Sequence, residues 1–428
     1  MISMLTEIES KLTKSFVGKF VKWVQSKSLI FQLFAILLLA GLIAVGGYAV
    51  KNPEDVKRFP GVCKRWYRST FGGKDIPLTK EQRERLDLAI RQITQSVHAG
   101  ADGYIYTEDR KPQTNQFDGW PVAQIAMALY DIKESEPALF QNDAYPSLVD
   151  SIRDLSGAWK EYHGSAEHPL HIGGTGWVIF TKGRLGYKAS DEELNFLLHS
   201  RNSERGSWPM FPSDLQGEIY GSTYATVWAA LALHEQCERC KLPDQLEKKC
   251  RAAVGDAVRW LTDKSEQNSK EQKGLWKFYY DYPQQKEISL SNSGLVLHFL
   301  HHLDFNRRNR YPIAIKHFDQ AWLENLSVTP PYADSFENWN LDVPVKGLGR
   351  AKFRESARCL KLPWVIIATA DAYPNGTWKQ RMKALEFIEK LSERLPTIKS
   401  ECSEEPWMLA ELLIALRQLQ DGYLIKAP

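Results

Sequence analysis

The chain has 428 residues, of which 43% are hydrophobic and 25% are charged, and its formal net charge is +3. These proportions are ordinary for a globular protein, and so small a net charge gives no reason to expect a nucleic-acid-binding protein. The length exceeds the usual size of one domain, although a closed ring of helices can accommodate it. The 14 tryptophans are unusually many. Large rings with one polar atom suit the wall of a cavity and equally suit packing between helix ends.

Residues 29–50 form the first predicted element, a transmembrane helix. Gln32 and Tyr48 are the only polar side chains in this run. At about 1.5 Å of rise per residue, the run is long enough to cross a bilayer core. It is too long for the core of a signal peptide, so we expect a retained single-pass membrane anchor. Ala40 and Ala44 belong to a stripe of small residues that can pair such helices into a homo-oligomer.

The flanks of this span do not fix its orientation, because basic residues occur on both sides. Residues 1–28 mix lysines with apolar residues, which fits a basic amphipathic helix at the headgroups and equally a solvated positive flank. Free cysteines favour the cytosolic side for the large domain, whereas the lysine-rich N-terminus favours the opposite side. We expect the cytoplasmic side. Residues 51–78 predict a juxtamembrane linker, so residues 79–428 form the large domain.

Two kinds of helix alternate from residue 79 onward. Capping boxes mark three of the starts, at Thr79 with Gln82, Ser190 with Glu193, and Thr377 with Gln380. Amphipathic helices are predicted near residues 79–98, 145–162, 190–200, 243–264, 311–326 and 377–395. Helices that are apolar nearly all round are predicted near residues 121–130, 174–186, 221–238, 291–304, 363–373 and 406–420.

The helix that begins at Gly221 is the clearest example of the second kind. Tyr224 and Trp228 lie one turn apart in it, and small or apolar residues follow. Such a helix is buried on most sides. Six apolar helices alternating with six amphipathic ones fit a double ring, with the apolar helices inside and the amphipathic ones outside. An open solenoid of helix pairs has a similar alternation. We therefore predict an all-α fold, an (α/α)6 toroid preceded by the transmembrane helix.

Three turns and one helix carry a resemblance to known families. The turns are Gly206-Ser207-Trp208, Gly274-Leu275-Trp276 and Gly376-Thr377-Trp378. They resemble the glutamine-glycine-tryptophan turns of squalene and hopene cyclases. The helix beginning at Ser222 is similar to the repeats that these cyclases share with protein prenyltransferases. The resemblance covers roughly residues 79–420 at the level of repeats, and it implies an α/α toroid with a central cavity.

The catalytic motifs of these families are not found. The chain has no Asp-x-Asp-Asp run, which is the acid of the cyclases. Cys359 has no nearby histidine to complete a prenyltransferase-type zinc site, and no phosphate loop, nucleophile elbow or HExxH helix occurs. We therefore expect no cofactor. Fold likeness without the site is a weak basis for assigning chemistry.

In a toroid of this kind, the turns that enter the inner helices gather at one mouth. The partial positive charge of the helix N-termini points there, which favours an anionic or polar ligand. Two carboxylates at the mouth would make a glycosidase-type acid and base, with aromatic rings as sugar platforms. Each acid is equally explained as a helix cap and each tryptophan as packing. The candidate residues are Asp118, Trp120, His171, Trp177, Trp208, Asp214, Tyr220, Tyr224, Trp228, Asp281, Glu337, Trp364, Glu405 and Trp407.

Two clusters outside this set could hold a metal. His234, Cys237, Cys240 and Cys250 are close in sequence, but their spacing is not a standard zinc pattern, so structural thiols are the better interpretation. His298, His301 and His302 share a helix face, yet no acidic or cysteine ligand accompanies them locally, so we expect a packed or solvent-facing set.

From these observations we predict a membrane-anchored toroid that is a non-catalytic binding or scaffold module for a partner protein or a lipid-like or other small ligand. The alternative is an enzyme acting on a prenyl, terpenoid or glycan substrate in the ring. A further alternative is a membrane-linked component of a bacterial defence or stress-signalling system.

Overall fold

The chain divides into two compact units, residues Met1–Tyr67 and Arg68–Pro428. The computed structural model describes parts of the second unit. These are residues 76–105, 119–130, 144–151, 153, 157–159, 170–211, 221–268, 272–280, 288–305, 315–328, 339–345, 349–355, 361–402 and 406–422. Within those ranges no helix is both long and apolar enough to cross a membrane. The predicted span at residues 29–50 and its two flanking segments up to residue 75 lie outside them.

The second unit contains the twelve predicted helices, numbered here α1 to α12. The six amphipathic helices carry odd numbers: α1 (Lys80–Ile105), α3 (Ala144–Ser151), α5 (Asp191–His199), α7 (Asp244–Glu266), α9 (Ile315–Asn325) and α11 (Trp378–Arg394). The three predicted capping boxes, which begin α1, α5 and α11, are all present. The prediction for α3 was too long, because that helix ends at Ser151 and Gly157 adopts a left-handed turn.

The six apolar helices carry even numbers and form the inner layer. They are α2 (Gly119–Leu129), α4 (Ile172–Arg184), α6 (Thr223–Arg239), α8 (Leu290–Phe305), α10 (Lys361–Ala372) and α12 (Pro406–Asp421). Each packs on the next in this order, and α12 packs on α2, so the inner layer closes into a ring. The predicted α/α toroid is therefore confirmed and the open solenoid is excluded.

The inner helices run parallel, with their N-termini at one end. Trp120 near the start of α2 contacts Trp407 near the start of α12, and His171 before α4 contacts Tyr224 at the start of α6. At the other end, Asp371 near the end of α10 accepts a hydrogen bond from Gln418 in the last turn of α12. We call the N-terminal end of this ring the mouth.

A Gly-x-Trp turn joins each of three outer helices to the following inner helix. The glycines at 157, 206 and 274 have left-handed φ values of 87°, 77° and 78°. Each tryptophan indole N–H donates to a carbonyl of the preceding outer helix, and each tryptophan backbone N–H donates to a hydroxyl on the following inner helix. The triples are Trp159 with Val149 and Thr175, Trp208 with Leu197 and Thr226, and Trp276 with Leu261 and Ser293.

Two of the three turns on which the resemblance rested, those at Gly206 and Gly274, have this geometry. The third, Gly376-Thr377-Trp378, is different: Gly376 has a φ of −68°, Thr377 caps α11, and Trp378 is 59% exposed. A turn at Gly157 follows the same pattern as the first two but was not recognised in the sequence. The Gly-x-Trp turns therefore stabilise the contact between the two layers.

Strands were not predicted, and six short ones occur in the part of the chain that the structure describes. β1 (Gly221–Ser222) pairs with β3 (Tyr279–Tyr280), and β2 (Trp276–Lys277) pairs with β4 (Ile288–Ser289), both at the mouth. β5 (Trp339–Val345) and β6 (Gly349–Glu355) form an antiparallel hairpin between α9 and α10. Its signal is the alternation of Trp339, Leu341, Val343 and Val345 with polar residues or proline, a period-two pattern typical of a strand.

Candidate functional site

Half-buried aromatic rings surround the mouth of the toroid. The rings of Trp120 and Trp407 meet edge to face, with centroids 4.9 Å apart. Tyr224 lies on the next side, 6.2 Å from the His171 imidazole. These four residues were candidates from the sequence, and the structure brings them to one end of the ring because each lies at the start of an inner helix. We call them the rim.

His171 is the deepest member of the rim and is only 5% exposed. It caps α4, because its Nδ1 accepts a hydrogen bond of 2.8 Å from the Gly174 N–H. Since Nδ1 is the acceptor, the ring proton is on Nε2. Burial lowers the pKa of His171 to about 4, so the imidazole is neutral at physiological pH. Its Nε2 has no hydrogen-bond partner among the described residues.

Three tryptophans fill the interior directly below the rim. Trp177 and Trp228 stack with their ring centroids 3.6 Å apart, and Trp364 packs edge to face on Trp228 at 5.9 Å. Helices α6 and α10 are not neighbours in the ring, so the Trp228–Trp364 contact crosses the interior. At this level the central cavity implied by the resemblance is occupied by packed indoles.

Several hydrogen-bond donors at and below the rim have no acceptor among the residues that the structure describes. The indole Nε1 atoms of Trp120, Trp177 and Trp228 are buried and have no partner in the described part of the chain. With His171 Nε2 they make four donors in the mouth half of the ring. A buried donor without a partner costs about 1–3 kcal/mol, so such a concentration requires an explanation. Oxygen atoms of a ligand would satisfy donors of this kind.

Below the tryptophans, three histidines of α8 pair with carboxylates on three different helices. His298 Nδ1 lies 2.9 Å from Asp371 of α10, His301 Nε2 lies 2.7 Å from Asp319 of α9, and His302 Nε2 lies 3.0 Å from Glu235 of α6. The sequence showed no acidic companion close to these histidines along the chain, and the structure supplies the acids from other helices of the fold. Their geometry is that of interhelical packing, and no metal-binding group of three such side chains occurs among the described residues.

The cysteine cluster likewise does not assemble into a metal site. His234 packs against His302, while the thiols of Cys237 and Cys240 approach the carbonyls of Glu247 and Tyr187. Cys250 is fully buried beside Cys237, and its hydrogen bond to that thiol, together with burial, raises its pKa. These three cysteines are free thiols, whereas Cys402 is disulfide-bonded.

The remaining sequence candidates fall into two groups. Trp208 is fully buried in a Gly-x-Trp turn, and its role is to connect the layers. The candidates outside the described residues are Asp118, Asp214, Tyr220, Asp281, Glu337 and Glu405.

Comparison with known proteins finds no matching family model. It finds no matching curated protein either. Among solved structures, the GH76A α-1,6-mannanase of Salegentibacter sp. HEL1_6 is similar at 14% identity, covering 77% of this chain and 99% of the enzyme, with a TM-score of 0.49. An inactive variant of it in complex with α-1,6-mannotriose is similar at 13% identity, 79% and 100% coverage and a TM-score of 0.48. A family 105 glycoside hydrolase of C. acetobutylicum ATCC 824 is similar at 12% identity, 78% and 93% coverage and a TM-score of 0.40.

These findings correct two predictions. The α/α toroid stands on the closed ring of inner helices. The similar structures are glycoside hydrolases, so the naming of terpenoid cyclases and prenyltransferases is not supported. The expected non-catalytic binding or scaffold module is contradicted, because the mannanases are glycan-processing enzymes. Likeness at this level gives no residue of this chain a role.

Proposed function

We propose that the toroid is an enzyme that acts on a carbohydrate chain bound at its mouth. The observation that carries the proposal is the contact between Trp120 and Trp407, whose ring centroids are 4.9 Å apart. In the sequence, a carboxylate precedes each of these tryptophans by two positions, in Asp118-Gly119-Trp120 and Glu405-Pro406-Trp407. Two contacting aromatic platforms are thus each linked to an acid.

The chemistry of the rim fits a sugar. The apolar face of a pyranose stacks on half-exposed aromatic rings, and its oxygens accept hydrogen bonds from indole and imidazole N–H groups. Neither the tryptophans nor the neutral His171 carries a formal charge. The rim can therefore bind uncharged hydroxyl groups as well as an acidic group. The indoles packed below keep the substrate at the mouth, where a long chain can enter and leave.

Asp118 and Glu405 are the proposed catalytic pair. Consecutive Cα atoms are about 3.8 Å apart, so the Cα atom of each acid lies within about 7.6 Å of the Cα atom of its tryptophan. In glycoside hydrolysis one such group protonates the leaving oxygen, while the other activates water or attacks the sugar carbon. Asp214, Asp281 and Glu337 remain the alternatives if one of the pair proves to be a cap.

Hydrolysis of defined oligosaccharides by the full chain tests this function. The panel is α-1,6-mannotriose, cellotriose, xylotriose and trigalacturonic acid, with products resolved by chromatography. We expect turnover of at least one, and a loss of about 10²–10⁴-fold in kcat for Asp118→Asn or Glu405→Gln, the range for removing a general acid or base. Glu386→Gln on the outer helix α11, where the side chain is exposed, is the control. Full activity of the Asp118→Asn/Glu405→Gln double variant would exclude this pair, and no turnover of any probe would exclude the function.

We also propose that residues 29–50 anchor the enzyme in a membrane. The length and apolar character of that run support this. A spanning helix resists extraction by alkaline carbonate, whereas a peripheral protein is released. Release of the full chain into the carbonate supernatant would contradict the anchor.

A further inference from the structure

We propose that His171 is a specificity-determining residue of the mouth, whose Nε2–H donates to an oxygen of the sugar unit bound between Trp120 and Tyr224. This inference rests on the proposed function and extends it, because it assigns a sugar-recognition role to one residue. It concerns binding of the substrate rather than the bond-breaking step.

The tautomer of His171 is set by the fold. Its backbone donates to the Trp159 carbonyl, and its Nδ1 accepts from the Gly174 N–H, so the ring is held at the first turn of α4. The single ring proton is consequently on Nε2. The side chain is 5% exposed, and that N–H has no acceptor among the described residues. Burial of a donor is costly without an acceptor, and within the described part of the chain none is present, so a ligand oxygen would satisfy it.

The surroundings of His171 place it between the rings of the rim. A Cβ atom added at Gly174 would lie 2.8 Å from His171 Nδ1 and 3.3 Å from Trp120 Cδ1. A Cβ atom added at Gly173 would lie 2.4 Å from Tyr224 Cε1. The two glycines thus let three rings converge on the first turn of α4. Phe211 covers another side of the imidazole, with centroids 5.6 Å apart.

The ligand group that this donor recognises is an oxygen with a free lone pair. The N-terminus of α4 carries partial positive charge, which favours such an oxygen beside its cap. A sugar hydroxyl, a ring oxygen and a uronate carboxylate share this property. Because burial holds the pKa of His171 at about 4, the donor remains neutral above pH 5, and the contact does not depend on an imidazolium charge.

The test replaces His171 by asparagine. Asparagine is a good helix N-cap whose side-chain oxygen can still accept from Gly174 N–H, but it has no donor at the position of Nε2. We expect Kd and KM to rise about tenfold, the effect of losing one neutral hydrogen bond, with kcat and the unfolding temperature nearly unchanged. Ser190→Asn makes the same kind of change at the cap of the outer helix α5, and it should leave binding unchanged.

Calorimetric titration with the four panel oligosaccharides separates the outcomes. A larger loss for trigalacturonic acid than for the neutral sugars identifies a carboxylate as the acceptor, and the reverse identifies a hydroxyl or ring oxygen. If His171→Asn binds like the unaltered chain, this inference is wrong while the proposed function stands. If the unaltered chain binds none of the probes, both are wrong.

A direct readout covers the case in which the variant does not fold. In the unaltered chain labelled with ¹⁵N, the Nε2–H resonance of His171 should shift when the bound oligosaccharide is added. An unshifted resonance at saturation would overturn the proposal.

Discussion

His302 Nε2 lies 3.0 Å from Glu235 Oε2, and this hydrogen bond joins two neighbouring inner helices inside the ring. Burial alone would raise the pKa of Glu235, but the hydrogen bond from His302 and the charges of Arg184 and Arg239 hold it at about 2. Burial lowers the pKa of His302. A neutral imidazole therefore donates to an ionised carboxylate, and the charge of that carboxylate is balanced by the arginines.

Removal of the Glu235 charge should destabilise the toroid strongly. Arg184 is 4% exposed and lies 3.6 Å from Glu235, so Glu235→Gln removes a carboxylate charge beside a buried guanidinium. Breaking a buried pair on one side costs about 3–5 kcal/mol. Urea denaturation measures the loss. Glu386→Gln, which removes an exposed pair with Lys390, should change stability by less than about 0.5 kcal/mol. Equal effects of the two variants would contradict this account.

Stability should also fall between pH 6.5 and pH 4 because of His171. Its folded pKa is depressed to about 4 from an ordinary 6.5, so the unfolded chain binds a proton that the folded chain does not. As far as His171 is concerned, the free energy of unfolding has its full value above pH 6.5 and decreases as the pH falls to about 4. A shift of this size corresponds to about 3 kcal/mol.

The matched variant for this pH dependence is His171→Asn, which keeps the helix cap but does not titrate. Its stability profile from urea denaturation should be flatter across the same pH range. The remaining slope belongs to other groups, including His234, whose pKa burial lowers to about 3. A profile identical to that of the unaltered chain would show that His171 is not buried in its neutral form.

The Gly-x-Trp turns predict a contrast between two glycines of similar backbone conformation. Gly206 and Gly186 have φ values of 77° and 86°. A Cβ atom at Gly206 would lie 2.7 Å from the Asp256 carbonyl oxygen, whereas a Cβ atom at Gly186 would meet nothing within 4 Å. Gly186→Ala should cost about 1 kcal/mol for the left-handed backbone. Gly206→Ala should cost about 2–4 kcal/mol, because overpacking adds to it. Equal midpoints in urea would refute the contrast.

The fold could be predicted because the hydrophobic pattern of each helix is visible within its own short segment of sequence. Each inner helix is apolar on all sides and each outer helix on one side, so twelve helices and their layers follow from the sequence. Closure of the ring does not follow from the sequence, because it depends on the packing of α12 on α2 and not on any local pattern. The sequence Gly376-Thr377-Trp378 resembles the other turns but does not form one, because Gly376 is not left-handed. The sequence of three residues does not show which backbone conformation the glycine adopts.

The interior of the ring was harder to predict. His298, His301 and His302 were visible as a helical face, but Asp371, Asp319 and Glu235 are distant in sequence and meet them only after the ring has formed. A signal did exist, because a lone acid in an otherwise apolar helix is too costly to bury without a partner. Asp371 in α10 and Glu411 in α12 are such acids, and Gln124 of α2 donates to Glu411 at 2.9 Å.

Cysteine labelling should divide the six cysteines into two classes. Cys237, Cys240 and Cys250 are free thiols, so all three should react with iodoacetamide once the chain is unfolded without reductant. Cys402 is disulfide-bonded and should react only after reduction. A non-reducing peptide map identifies its partner. Disulfides persist in oxidising compartments, so a bridged Cys402 in the protein isolated from its native cell would place the toroid outside the cytosol, against the orientation expected from the sequence. Labelling of Cys402 without reductant would contradict the disulfide and remove this argument against that orientation.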